Sequence, residues 1–383
     1  MISSKRAQLE VTFNWVYVLI AGAVILLFFA GIVVKQKAAS EDNLSRMAMN
    51  IMDKIFAGAR AAEKTKDFVD ISGLADYTFY FDCDNEVSTY GLKGYANPKE
   101  DEVHAIFAPL ELQGTRMILW SLPYKLPYKT MDFLFITTDK TKYFFVGQDE
   151  FVEEFLNATQ DNTDKRKSIS AEAVIDLEDI TPGKTFQIRI VDVEGKIQPK
   201  ALLPPPLLDK LKGYGDNKVT AVSFTGTNQV NFFQKEDDHW KQLNSNPVQI
   251  VSLGGERDAA KYAAVFAGND KVYECNMKKA FRRLELVNEV YGGVEIVSLK
   301  PGGKLGEIAA YYQAHPELGL TGQCQSYLSE AEENVMVSMQ MHQLKTKMCK
   351  LEYTKCVELI DSADKLKKAN TNLAEKGDCI PLY

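Results

Sequence analysis

The sequence predicts an α+β protein. An N-terminal transmembrane helix leads through an amphipathic stalk into a mixed α/β globular region in two blocks, closed by a long C-terminal helix. Three observations predict it. Val11 to Val34 carry no charged side chain. Beyond Phe68 the hydrophobic period changes from helical to strand-like. From Ser329 to Lys368 there is neither Gly nor Pro.

Element by element, a helix over 11–34 is roughly 36 Å long, enough to cross a hydrocarbon core of about 30 Å with some tilt. It is too long for the apolar region of a cleaved secretory signal, although Ala38-Ala39-Ser40 could mimic a cleavage site. Trp15 and Tyr17 stand near one end, where amphipathic rings favour the interface. Lys5 and Arg6 on one side nearly balance Lys35, Lys37 and Arg46 on the other, so flanking charge leaves orientation open. Leu44, Met47, Ile51, Met52, Ile55 and Phe56 recur at helical spacing and extend a stalk over 35–67. Strands are expected at 77–81, 103–107, 116–120, 133–137 and 143–146, the last two joined as a hairpin through Thr138–Lys142. A short helix over 148–157 completes the first block, 68–157. The polar stretch 158–169 reads as a linker.

The second block, 170–300, is expected to hold strands at 171–177, 186–193, 219–224, 230–233, 248–253 and 263–267, then a helix over 276–290. Pro204-Pro205-Pro206 predicts an extended spacer. In the C-terminal region, 301–383, Val337, Met341, Leu344, Met348 and Leu351 sit near heptad spacing. They predict one helix of about 40 residues, packed on its own domain or on a second copy.

Composition narrows the function classes. The net charge is −7, so nothing suggests the basic face of a nucleic-acid binder. Gly254-Gly255 and Gly302-Gly303-Lys304-Leu305-Gly306 lack the order of a dinucleotide or phosphate loop and read as turns. Glu236-Asp237-Asp238-His239 reads as a polar hairpin tip, because four consecutive residues cannot readily converge on one ion. No catalytic residue, metal site or cofactor is therefore predicted. The six cysteines, Cys83, Cys275, Cys324, Cys349, Cys356 and Cys379, include no CxxC pair and are disulfide candidates. On a continuous helix Cys349 and Cys356 lie roughly 10 Å apart, beyond the 7 Å that a bridge allows. The expected bridge is Cys356–Cys379, with two more among the remaining four. Asn43 and Asn157 head glycosylation-type triplets.

Lys5-Arg6-Ala7-Gln8-Leu9-Glu10, followed directly by the apolar run, resembles the class III signal peptide of archaeal type IV pilin-like proteins. The resemblance covers about 30 residues of the chain. It implies a cut between Ala7 and Gln8, a short cytoplasmic leader within 1–10, retention of the apolar helix as an anchor, and a C-terminal domain outside the cytoplasm. It departs from the family pattern in its acidic residue, which is Glu10, with Thr12 in the usual place. The remainder resembles uncharacterised membrane-anchored archaeal proteins, a resemblance that implies no activity.

The expectation is thus a single-pass membrane protein with a disulfide-stapled extracytoplasmic domain in a structural, adhesive or pilin-like assembly role. Its partners would be the bilayer, further copies of itself or other envelope proteins. The alternative is a membrane-tethered enzyme or ligand-binding domain. Its site would be at Gly254, Gly255, Glu256, Arg257 and Asp258, at the C-terminal end of a strand, where α/β sheets bind ligands. A pocket lined by Glu256, Arg257 and Asp258 favours the alternative, and a flat surface there excludes it.

Overall fold

The computed structural model describes residues 45–60, 65–226, 228–294, 302–315, 323–332, 334–377 and 379–383, together with Asn43. Among them no helix is long and apolar enough to cross a membrane. The expected fold class and the membrane localisation built on a single-pass anchor are corrected accordingly, and the architecture is mixed α/β. The segment 11–34 and the processing residues Ala7, Gln8 and Glu10 lie outside the described residues.

Among the described residues three sheets form the frame. The first has the order β1 (Lys66–Asp70), β7 (Arg116–Lys125), β8 (Lys129–Thr138), β5 (Ile106–Phe107). The second has the order β4 (Lys99–Asp101), β3 (Val87–Leu92), β2 (Phe79–Asp84), β6 (Glu111–Leu112). The third and largest runs β10 (Ser170–Val174), β9 (Thr141–Val146), β11 (Gln187–Asp192), β12 (Val219–Thr225), β13 (Gln229–Glu236), β14 (His239–Gln242), and β15 (Val248–Gln249) also pairs with β13. Its first four strands are parallel and β12 to β14 antiparallel.

Side chains alternate across the strands, and β7, β8, β9 and β11 are covered on both faces. Met117, Leu119, Leu134 and Ile136 face one core, while Ile118, Trp120, Phe133 and Phe135 face another. On β9, Tyr143 and Phe145 join the second core, and Phe144 and Val146 a third. The expected hairpin through Thr138–Lys142 does not form, because β8 pairs with β7 whereas β9 enters the third sheet between β10 and β11. Asp139 anchors the crossing by accepting from the Thr115 and Arg116 N–H groups, each at 3.0 Å. The two-block reading fails for the same reason: β9 comes from the first block and its sheet neighbours from the second.

The expected stalk is also corrected. Helix α1, residues 45–60, lies against the second sheet, burying Ala48, Met49, Met52 and Phe56 and leaving Met47 and Ile51 exposed. Phe56 meets Tyr90 edge-on at 5.2 Å, and Arg60 pairs with Asp101 at 2.9 Å. Helix α2 (Glu150–Thr159) is capped by Asp149, whose side chain accepts from Val152 N. At its other end Lys66 donates to the carbonyls of Ala158, Thr159 and Gln160. The proline run opens helix α3 (Pro205–Leu211) instead of forming a spacer, since the first turn has no use for the missing N–H groups.

The run 263–267, expected as a strand, lies in helix α4 (Ala259–Phe266) and its C-cap, with Asp258 as N-cap. Arg189, fully enclosed on β11, donates to the carbonyls of Ala264, Val265 and Ala267 at the end of that helix. Burial brings its guanidinium down to about 9. Helix α5 (Asp270–Gly292) buries Met277, Phe281 and Leu284, and α6 spans Gly303–Ala314. A short turn α7 (Gln323–Gln325) precedes α8 (Val335–Leu351) and α9 (Cys356–Glu375).

The expected single C-terminal helix is therefore two. Glu352 turns extended, with φ −140°, and Tyr353 inserts inward, its hydroxyl donating to Gln249 O at 2.8 Å. The break removes the geometric objection to pairing Cys349 with Cys356. The bridges are Cys83–Cys275, Cys324–Cys379 and Cys349–Cys356, and the expected Cys356–Cys379 bridge is absent.

Candidate functional site

The stretch Gly254–Asp258 does border a cleft. Its cavity of about 230 Å³ is enclosed on one side by Leu122–Lys125 at the end of β7 and on the other by Ser252, Gly254, Glu256, Arg257, Asp258 and Ala259. Gly255 alone of the five expected residues is not in the lining. The turn is held open by backbone that favours glycine, with φ +72° at Gly254 and +111° at Gly255. Arg257 also takes a positive φ, 55°, and its N–H donates to Glu154 Oε2 at 2.9 Å. Glu154 accepts from the Tyr262 hydroxyl through its other oxygen at 2.7 Å. The turn is thereby fixed to α2 and α4 together.

Asp258 carries the chemistry. Its Oδ1 accepts from the N–H groups of Ala260 and Lys261, which caps α4. Its Oδ2 is buried, with no partner in strict hydrogen-bond geometry among the described residues, and the Ser252 hydroxyl lies close enough to act on the carboxyl. The residue is 9% exposed. Burial pushes its carboxyl above the ordinary range, against the opposing pull of the Ser252 hydroxyl and the two capping N–H groups. A buried carboxyl is costly, and a ligand that adds a donor beside it offsets part of that cost. Lys125, Arg257 and Glu256 add charge of both signs to the lining.

The rationale from which this stretch was expected does not hold, however. The preceding strand β15 is Val248–Gln249, antiparallel to β13, so Gly254 does not follow a parallel strand. The switch point of the parallel sheet lies elsewhere. β9 and β11 are adjacent, and the connection after β9 runs through α2 over one face. That after β11 runs through α3 over the other. A second cavity, about 440 Å³, sits at these strand ends among Asp149, Glu194, Thr225, Asn228, Gln229 and Lys261. Gly147 is required there: a Cβ would stand 2.6 Å from the Glu194 side chain, and φ is +95°. Sequence reasoning missed this crevice because it depends on strand order, which no local pattern carries.

Comparison of the chain with protein-family models, curated proteins and solved structures finds no match. The functional reading therefore rests on the residues themselves.

The remaining candidates fall in place individually. Asp237 and Asp238 form the tip between β13 and β14, with φ +54° at Asp237. No group of three or more metal-ligating side chains converges among the described residues. His342 is enclosed between Leu126 O and the Ser362 hydroxyl, each at 3.2 Å, and burial lowers its imidazole to about 3. Asn43 is exposed. Asn157 is exposed too, but on the last turn of α2 and outside the linker. The Thr159 hydroxyl of its triplet is buried and donates to Phe155 O at 2.7 Å.

Proposed function

We propose that this chain is a binding protein for a small polar molecule, held in the cleft between Leu122–Lys125 and Ser252–Ala259. The observation that carries the reading is the buried carboxyl of Asp258 among the residues that line that cavity. The ligand presents a hydrogen-bond donor to it, an ammonium above all, because a carboxylate pairs best with a charged donor. A cavity of about 230 Å³ suits a molecule of amino-acid size. Lys125 and Arg257 supply counter-charge for an acidic group at its other end. The structural or adhesive role expected from the sequence would draw on the three disulfides, but it gives the cleft no use.

The test is calorimetry of the full chain against small zwitterions, amines and carboxylic acids, repeated with Asp258→Asn. Asparagine caps a helix about as well as aspartate, so the fold is retained. The expected result is binding of an amine-bearing probe, weakened about 10- to 100-fold in the variant, in line with the loss of one charge-assisted hydrogen bond. Absence of binding across the panel, or affinity unchanged by the substitution, refutes the reading.

A further inference from the structure

Helix α8 is apolar on the side turned away from the protein. Its buried positions are Val335, Ser338, Met339, His342, Gln343, Thr346 and Cys349, more than half of them polar. Outside stand Val337 at 50% exposure, Met341 and Leu344 at 43% each, and Leu351 at 84%. Met348 is half-buried between them. Positions 337, 341, 344, 348 and 351 advance by alternating steps of four and three. This is the 3.5-residue period of a helix that pairs with another helix along a narrow seam. A surface helix of a self-sufficient domain shows the opposite pattern. Single exposed apolar residues are ordinary, whereas a continuous seam of them marks an interaction surface.

We infer that this face of α8 docks on the same face of a second copy of the chain, with the two helices antiparallel. The stripe is its own complement: about Leu344 as centre, Val337 of one copy meets Leu351 of the other, as a two-fold interface requires. Charge selects the direction. Glu330 and Glu332 are exposed just before α8. Its second half and the following turn carry Lys345, Lys347, Lys350 and Lys355. Lys345, Lys350 and Lys355 already pair within the chain, with Glu358, Glu285 and Glu352, so the excess positive charge of this end is smaller than four. Antiparallel docking sets the acidic lead of each helix against the basic end of the other, and opposes the helix dipoles as well. Parallel docking sets like against like.

The helix of 17 residues is about 25 Å long. A seam of that length is small for a permanent interface, so the dimer dissociates in the micromolar range. This inference is independent of the ligand cleft, which lies on other elements.

Sedimentation velocity of the full chain from about 1 to about 100 µM tests it. The expected result is a concentration-dependent shift from monomer to dimer, abolished by Leu344→Glu with unchanged circular dichroism and melting temperature. A probe pair at position 351, introduced as Leu351→Cys and spin-labelled with the native disulfides intact, should lie about 20 Å apart along the seam. Parallel pairing would bring the two labels into near contact. A monomer at every concentration, a dimer indifferent to Leu344→Glu, or labels in near contact overturns the proposal.

Discussion

Around β8 and β9 the interior is aromatic: Phe107, Phe133, Phe135, Tyr143, Phe145 and Phe155 contact one another or Phe266 and Tyr262 at ring distances of about 5–6 Å. Between α5, α8 and α9 it is hydrogen-bonded instead. There the Asn288 amide donates to the Thr346 hydroxyl at 2.9 Å, Gln343 to the carbonyls of Asn288 and Gly293, and His342 sits between Leu126 O and Ser362. The sheets hold by area removed from water, which no single bond controls. The helical layer holds by donors and acceptors that must all be matched, plus two of the three disulfides. The two regions are therefore vulnerable to different insults: the sheets to truncation of large side chains, the helices to protons and reductant.

The join between the two regions offers the largest effect. Cys83 on β2 and Cys275 on α5 close a loop of 192 residues. Beside them Asn276 accepts from Ser88 and Ile106, and Lys279 donates to Ser88, Asp101 O and His104 O. In the chain-entropy view a loop of that size is worth about 5 kcal/mol. Cys83→Ala with Cys275→Ala should therefore lower the free energy of unfolding by up to that amount in guanidinium titration. Separate transitions for sheet and helix probes would show that the bridge couples the two regions. A loss below about 1 kcal/mol would show that the polar contacts of Asn276 and Lys279 suffice.

Acid should strike the helical layer next. His342 is held neutral in the folded chain, its imidazole lowered to about 3 from an unfolded value near 6.5. Between those limits the unfolded state binds the extra proton. Its contribution to stability is complete above about pH 6.5 and is lost as pH falls toward 3, by about 1.4 kcal/mol per pH unit from this one group. Asp258, whose carboxyl is raised by burial, works in the opposite direction and softens the slope. Urea titrations at pH 7, 6, 5 and 4 should show the decline, and His342→Gln should flatten it. An equally steep slope in that variant would assign the acid sensitivity elsewhere.

Much of the frame was legible because its signals are local. Tyr143–Val146 and Val219–Phe224 are short, mostly apolar runs, Gln187–Asp192 interleaves Ile and Val with polar residues, and all three form strands; Asn276–Val290 is periodic and does form a helix. Errors arose where distant partners decide. Ala263–Ala267 is too short for period to separate strand from helix, and Asp258 at one end with Arg189 at the other resolves it. Thr138–Lys142 has the composition of a hairpin turn, but the neighbours of β9 come from residues 170–192. Of the candidate cleft, Gly254–Asp258 could be picked out by composition, whereas the facing wall at Leu122–Lys125 lies more than a hundred residues earlier.

The break between α8 and α9 gives the smallest effect and the sharpest test of the contrast. No Gly or Pro marks it, and Tyr353 and Thr354 are only weak helix formers. The Cys349–Cys356 bridge spans seven residues with Cα atoms 4.5 Å apart, a separation that a continuous helix forbids. A loop so short constrains the unfolded chain by only about 2.5 kcal/mol. Replacing both cysteines with alanine should cost about that much and leave the sheets unchanged. The informative readout is hydrogen exchange across 346–360. If the bridge holds the turn, amides there lose protection while those of β7 and β8 keep it. If Tyr353, seated on Gln249 O, holds the turn by itself, protection across 346–360 survives in the variant and is lost only on Tyr353→Ala.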